Sequence, residues 1–266
     1  MRPLARRRLA RALVPCYLLL VGGMPMALTS VLVARPRALA GRIAALLLAP
    51  PLFVLAYVVI AGGLARRTRR AIVAGRFPRD LGDPVYGPRR LYARCWTAVC
   101  YFTPIYHAVL AVPLLKRIIL RLFGYRGALD VTSYPDTWIR DLPLLDIATG
   151  ACIANRATLG TNMRMQDGTV VGDAAEIGVG CGIGIGVSIG RGAKIGPTTS
   201  VSHRAIIGEH ADIGVMCLIG AKAVIHPRVR IPAGRIIPPR AVIRNDADVE
   251  TLRRATPVAA MAMHGE

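Results

Sequence analysis

The side chains in this sequence that can move a proton or grip a polar substrate are few, and most of them fall in its C-terminal half. His203, His210 and His226 stand there. Imidazole takes up and releases a proton near neutral pH, so each is a candidate general base for deprotonating a hydroxyl or an amine. His203 ranks first; in the segment SVSHRA it stands two residues after Val201 and beside Arg204. Asp167, in MQDG, and Asp173 could line a cleft, although Asp in such company more often closes a turn. Two further histidines are less informative: His107 lies in an apolar stretch, where an ionisable group tends to be functional only at membrane depth, and His264 lies in the tail.

What must position these groups is a repeat. From Ile147 to Ile243 an aliphatic residue recurs every six positions, through Ile153, Leu159, Met165, Val171, Ile177 and onward, seventeen times. The next residue is usually Gly, and the residue two before is usually small. A period of six fits neither a 3.6-residue helix nor an alternating strand, but it fits a hexapeptide β-solenoid, in which three hexads make one coil. Residue i then stacks on residue i+18 at a strand spacing of about 4.8 Å. The aliphatics fill a narrow core, the small residues let the chain bend at the corners, and Gly there tolerates positive φ. Seventeen hexads give between five and six coils, with no insertion loop expected from Ile147 to Ile243. His203, two residues after Val201, is then placed at a face or corner, and His210 at a corner. His226 takes the usual Gly place after Ile225 and should stack over Gly208.

Charge divides the chain near residue 125. Through Gly124, twenty Lys and Arg face two acids, Asp80 and Asp83, whereas beyond it fifteen face thirteen. The basic half is also the apolar one, which indicates membrane topology and contact with anionic lipids rather than nucleic-acid binding. Residues 12–33 and 43–64 are uncharged runs long enough to cross a hydrocarbon layer of about 30 Å. Arg2 to Arg11 and the loop from Arg66 to Arg94 are more basic than the turn holding Arg35, Arg37 and Arg42, so the hairpin enters and leaves on the cytoplasmic side. Residues 1–94 thus form a transmembrane hairpin and basic loop. Residues 95–124 read as interfacial or re-entrant helices, with Leu114 to Phe123 an amphipathic one.

Residues 125–244 make the β-domain, and Trp138, Leu142, Leu144 and Leu145 are expected to cap its first coil. Residues 240–254 should give a last strand and short helix, with 245–266 forming a C-terminal tail. Six cysteines in this pattern suggest neither a disulfide framework nor zinc; Cys16, Cys95, Cys100, Cys181 and Cys217 read as small hydrophobes.

The hexads from Ile147 to Ile243 closely resemble those of the hexapeptide-repeat, isoleucine-patch acyltransferase superfamily. That resemblance implies a mainly β fold, a left-handed parallel β-helix here carrying an N-terminal α-helical membrane anchor. It also implies transfer of an acyl group from CoA or another activated donor to a hydroxyl or amine, a His base, and a homotrimer with sites between neighbours. Acyl-CoA would be a co-substrate, with no bound cofactor. The segments GDPVYGPRRLYARCW, PLLKRIILRLFGYRGA and DLPLLDIATGACIANRATLGTN are similar to the membrane-linked C-terminal modules of polylysine-synthetase-type nonribosomal peptide synthetases. In those modules a His commonly follows Thr where this chain has Thr161–Asn162, and Asn is no base. Asn162, Asp167 and Arg204 are therefore expected to bind substrate, and His203, His226 and His210 to supply the base. The β-helical carbonic anhydrases, also similar in fold, place two zinc ligands five residues apart on one turn; His203 and His210 are seven apart, and no metal is expected. The location implied is a bacterial-type inner membrane, crossed more than once, with lipids, the acyl donor and sister subunits as partners. The alternative is a non-catalytic β-helical scaffold at the membrane, linked to peptide or polymer synthesis; an insertion-free prism and Asn162 favour it.

Overall fold

A computed structural model of the chain describes residues 19–36 and 38–250. The arginines from Arg2 to Arg11, Cys16, Arg37, His264, the beginning of the expected helix at 12–33 and the tail from Thr251 lie outside the described residues. The chain divides into two compact units, one of residues up to Ile72 with Phe77–Gly124, the other of Val73–Arg76 with Tyr125 onward.

The first unit is helical. Its elements are α1 (Met24–Ala34), α2 (Leu39–Thr68), α3 (Tyr86–Tyr101), α4 (Thr103–Ala111) and α5 (Pro113–Leu122). Among the described residues one helical stretch, Leu39–Ala71, is long and apolar enough to cross a membrane, and Val21–Ala34 is a shorter apolar one. Helix α2 packs on α1, α3 and α5. A Cβ on Gly62 would lie 2.6 Å from Leu122 Cδ1, so the close approach of α2 to α5 needs a glycine there. The third apolar stretch is not one helix. It breaks at Phe102 and again at Val112, whose extended ψ of 106° is what the following Pro113 demands.

The second unit is a three-sided parallel β-solenoid of about six turns. Its early elements are β1 (Gly75–Phe77), β2 (Thr132–Ser133), β3 (Trp138–Ile139), β4 (Leu145–Ile147), β5 (Cys152–Ile153), β6 (Thr158–Leu159), β7 (Asn162–Arg164) and β8 (Val170–Gly172). The first face holds six strands, from β2 and β5 to Ile236–Ile237. The second holds six, from β3 and β6 to Val242–Ile243, and the third five, from β4 to Arg230–Ile231. Fifteen of the seventeen hexad aliphatics are core, each at most 3% exposed.

The other two, Met165 and Val171, correct the insertion-free expectation. β7 and β8 form an antiparallel hairpin that leaves the prism, pairing Asn162 with Gly172 and Arg164 with Val170. Because of it, Ile147 stacks on Ile177 and Leu159 on Ile189, thirty residues apart instead of eighteen. The excursion is twelve residues long, two whole periods, so the hexad phase survives and the sequence period hides it. The N–H of Asp173 donates to Thr161 O at 2.8 Å and closes the neck.

The solenoid also starts earlier than expected. β2 and β3 already pair with β5 and β6, at an offset of twenty residues. The extra residues are taken up by a 3₁₀ turn, Leu142–Leu144, after Asp141 in the left-handed region (φ 48°). Leu142, Leu144 and Leu145 are buried, whereas Trp138 is 41% exposed with the Arg140 guanidinium 5.5 Å over its ring.

Glycine after the core aliphatic has a different cause from the one expected. Cβ atoms on Gly184, Gly190 and Gly208 would fall 2.5–2.7 Å from the backbone of the next coil, so the need is for space. Positive φ falls two residues further on, where Arg204, His210, Met216, Lys222 and Arg228 adopt it as well as Gly186 and Gly192.

Candidate functional site

Each coil turns three corners, and at Arg204, His210, Met216, Lys222 and Arg228 the left-handed corner residue carries its side chain at the surface. At the first corner, between the first and second faces, stand His203 and Arg204. Both are exposed, and the His203 imidazole has no hydrogen-bond partner among the described residues. His226 lies at the start of the second corner, between the second and third faces. His226 does stack over Gly208, but the free space expected there is absent, because the backbone of His226 itself, from Ile225 O to Pro227 N, fills it.

The second corner is where side chains converge. Asp173, Arg191 and Glu209 occupy one column at eighteen-residue intervals, and His210 follows Glu209. Arg191 Nη2 donates to Glu209 Oε2 at 2.7 Å, and Nη1 is 3.9 Å from Asp173 Oδ2. Nη1 also lies 3.1 Å from His210 Nε2. A guanidinium has only donors, so Nε2 is the acceptor in this contact and the imidazole proton sits on Nδ1. Asp173 Oδ2 is 3.5 Å from the same Nε2 and gains a charge-assisted partner once that nitrogen is protonated. The ring lies directly over Gly192, where a Cβ would come within 2.3 Å of Nδ1. The Arg191 side chain is only 14% exposed. Its Nε is a buried polar atom without a hydrogen-bond partner among the described residues. Leaving such a donor unpaired costs about 1–3 kcal/mol.

The hairpin leaves the prism at this same corner. Asp141, buried in the preceding coil, accepts hydrogen bonds from Thr161 Oγ1 at 3.1 Å and from Asn162 Nδ2. Asn162 is therefore a fixed amide at the hairpin's base, with Asp173 at its exit. Asp167 is at the tip. Its carboxylate accepts from Thr169 N at 2.9 Å and Thr169 Oγ1 at 2.6 Å, and it pairs with Arg76. Those hydrogen bonds, ahead of the Arg76 charge, hold its pKa below the ordinary carboxylate value. Arg76 belongs to β1, which adds to the hairpin alongside β8. Asp167 is thus a turn-former and clamp, apart from His210.

Of the expected site residues, the structure brings His210 into one cluster and sets Asn162 at the base of the neighbouring hairpin. His203 and Arg204 share a different corner, and Asp167 and His226 stand apart. Arg191, Glu209 and Asp141 were missed. The signal for the first two was present, since Asp173, Arg191 and Glu209 are spaced by one coil each.

The inward corner residues Cys181, Thr199 and Cys217 form another column. Thr199 Oγ1 donates to Gly214 O at 2.8 Å, and the thiols lie 3.1 Å from Gly196 O and 3.2 Å from Pro232 O. They are more than small hydrophobes, for they satisfy carbonyls of the next coil. Burial pushes both thiols up from their ordinary pKa. Among the described residues no three His, Cys, Asp or Glu side chains converge as metal ligands.

No family model and no curated protein matches the sequence. Solved structures do. GDP-perosamine N-acetyltransferase of Caulobacter crescentus, in complex with CoA and GDP-perosamine, is 19% identical over 51% of this chain and 60% of its own, with a TM-score of 0.27. The acetyltransferase domain of PglB from Neisseria gonorrhoeae, in complex with acetyl coenzyme A, is 16% identical over 50% and 64%, with a TM-score of 0.35. Serine acetyltransferase of the same organism is 15% identical over 97% and 93%, with a TM-score of 0.32. The chain thus spans less than two thirds of the first two. At these identities and TM-scores the likeness assigns neither a family nor an activity.

Proposed function

We propose that this chain is an acyltransferase that moves an acyl group from a thioester such as acyl-CoA to a hydroxyl or amine, with His210 as general base. The observation that carries this reading is His210 Nε2 lying 3.1 Å from Arg191 Nη1 and 3.5 Å from Asp173 Oδ2 at the corner where the hairpin leaves the prism. In the reaction Arg191 Nη1 gives up its hydrogen bond to Nε2, and the acceptor's O–H or N–H proton passes to Nε2 while its oxygen or nitrogen attacks the thioester carbonyl. The C–S bond then breaks, and the leaving thiolate takes that proton from Nε2 and departs as a thiol. Asp173 offsets the charge of the imidazolium formed on the way, and Glu209 holds Arg191 in place beside it. Asn162, fixed by Asp141, is placed to orient the acceptor. His203 lacks any such partner, which is why His210 now stands ahead of it.

The scaffold alternative rested in part on a prism without insertions, and the hairpin removes that ground. Left-handed winding and a homotrimer with sites between neighbours are carried from the resemblance in the hexads. Anchoring rests on the apolar stretch Leu39–Ala71, joined by the apolar residues before Ala34, and the charge bias places the β-domain on the cytoplasmic side. The test is thiol release by the purified full chain, supplied with acyl-CoA and a panel of hydroxyl and amine acceptors. Acceptor-dependent release supports the reading. Absence of CoA binding by calorimetry, with no thiol from any acceptor, leaves the scaffold.

A further inference from the structure

The first corner of the prism carries a charge pattern found nowhere else among the described residues. Val201, Ile219 and Ile237 stack in register on the first face, so the residues three further on, Arg204, Lys222 and Arg240, occupy the same corner of three successive coils. The backbone confirms the alignment: Lys222 N donates to His203 O at 3.0 Å and Arg240 N to Ala221 O at 2.9 Å. At a coil spacing of about 4.8 Å, three cations stand in a line. All three are exposed, and none has a carboxylate partner among the described residues. Other ladders mix their signs, although the third face begins with two acids, Asp146 beside Glu176. The third face stacks Glu176, Lys194, Asp212 and Arg230, with Lys194 Nζ 3.1 Å from Glu176, and the second corner sets Arg191 between Asp173 and Glu209. The first corner does not alternate.

A second observation says what the line faces. Two residues beyond each cation the second face presents Ile206, Val224 and Val242 outward, paired with one another in register. Ile206 is 48% and Val242 43% exposed. A stripe of aliphatics flanked by a row of unneutralised cations matches a bilayer surface, where phosphate headgroups lie next to hydrocarbon. It suits a free phosphate ligand poorly, since such a ligand uses the cations but leaves the aliphatics in water. The chain also contains an apolar helical stretch of 33 residues, Leu39–Ala71, long enough to cross the membrane whose surface would be met.

We propose that this edge of the solenoid, Arg204, Lys222 and Arg240 with Ile206, Val224 and Val242, lies on the headgroups of an anionic bilayer. This rests on the anchoring part of the functional reading above, and on nothing in its chemistry.

The test uses the full chain reconstituted in vesicles of phosphatidylcholine alone or mixed with phosphatidylglycerol. An environment-sensitive fluorophore is attached at Ile206→Cys in a Cys152→Ser background, or at Asp212→Cys on the third face as control. In phosphatidylglycerol vesicles the label at 206 is quenched by brominated lipid and shielded from iodide several-fold relative to the label at 212. Phosphatidylcholine alone, or R204E/K222E/R240E, returns it to water. Resistance of the protein to extraction from the vesicles at high pH reports anchoring separately, so loss of the edge contact and loss of the anchor are told apart. Iodide access at 206 equal to that at 212 in anionic vesicles overturns the proposal. So does lipid quenching that persists in the charge-reversed variant, or soluble inorganic pyrophosphate protecting the corner while the label stays in water.

Discussion

Ile189 and Val171 hold the same place in the hexad phase, yet the structure gives them opposite fates. Ile189 is 1% exposed and stacks between Leu159 and Ile207 in the core. Val171 sits on the hairpin opposite Met163 and is only half-buried. Replacing Ile189 by Ala removes three buried carbons, worth about 2.4 kcal/mol at about 0.8 kcal/mol each. The cavity in so narrow a prism adds more, for a total of about 3–4 kcal/mol within the usual range for such changes. Ile189→Asp is worse, for it leaves an unpaired charge in a dry core. Val171→Ala removes two carbons that already meet solvent and should cost about 1 kcal/mol or less. The assay is urea unfolding of the full chain in detergent, followed by the β-sheet circular dichroism signal. If Val171→Ala shifts the midpoint as far as Ile189→Ala does, the hairpin is core and the register described here is wrong.

Four further outcomes follow from the geometry. Gly192→Ala forces a side chain into the left-handed region (φ 70°) and against the His210 ring, so it should displace the imidazole. The predicted signature is a change in the chemical shifts of the His210 ring NMR signals with a stability loss of about 1–2 kcal/mol; unmoved ring signals contradict the ring's placement. Cys181 and Cys217 should resist alkylation in the folded protein at pH 8 while exposed Cys152 reacts, as mass spectrometry will read. Because burial raises both thiol pKa values, their stabilising contribution is complete below the unfolded-state value of about 8.5 and falls as pH climbs above it. A Cys181→Ala/Cys217→Ala variant should flatten that alkaline decline. Asp167, whose pKa is lowered, works the other way: its hold on Thr169 and Arg76 is present above the ordinary carboxylate range and lost as pH falls through its depressed value. Amide exchange in β7 and β8 should quicken there, and equally in Asp167→Asn at neutral pH.

The solenoid was legible because its cause is periodic. One aliphatic per hexad must fill the core, and each glycine after it makes room for the next coil, so Ile147 to Ile243 announce the fold without a structure. The hairpin was illegible for the same reason. Its length is two whole periods, and Met165 and Val171 are apolar enough to satisfy the pattern while pairing outside the prism. The start of the solenoid escaped too, since the pairs from β2 and β3 are offset by twenty residues and break the six-residue count. At the site, single residues misled where columns would have spoken. His203 drew notice for its neighbour Arg204, but sequence neighbours at a corner share only a turn. Side chains meet along the stack, at intervals of eighteen, and that spacing joins Asp173, Arg191 and Glu209 to the corner of His210. His226 stacks over Gly208 as its spacing requires, but its own backbone takes up the space there and its side chain joins no cluster.

The central claim is that His210 supplies the base, and it is tested most directly by comparing kcat/KM of His210→Ala with that of His203→Ala in acyl-CoA-dependent acylation by correctly folded full-length protein. His210→Ala is predicted to lose on the order of 10²–10⁴, the usual contribution of a general base, while His203→Ala stays close to the unmutated chain. An unchanged rate in His210→Ala, or a loss of that size in His203→Ala instead, contradicts the account.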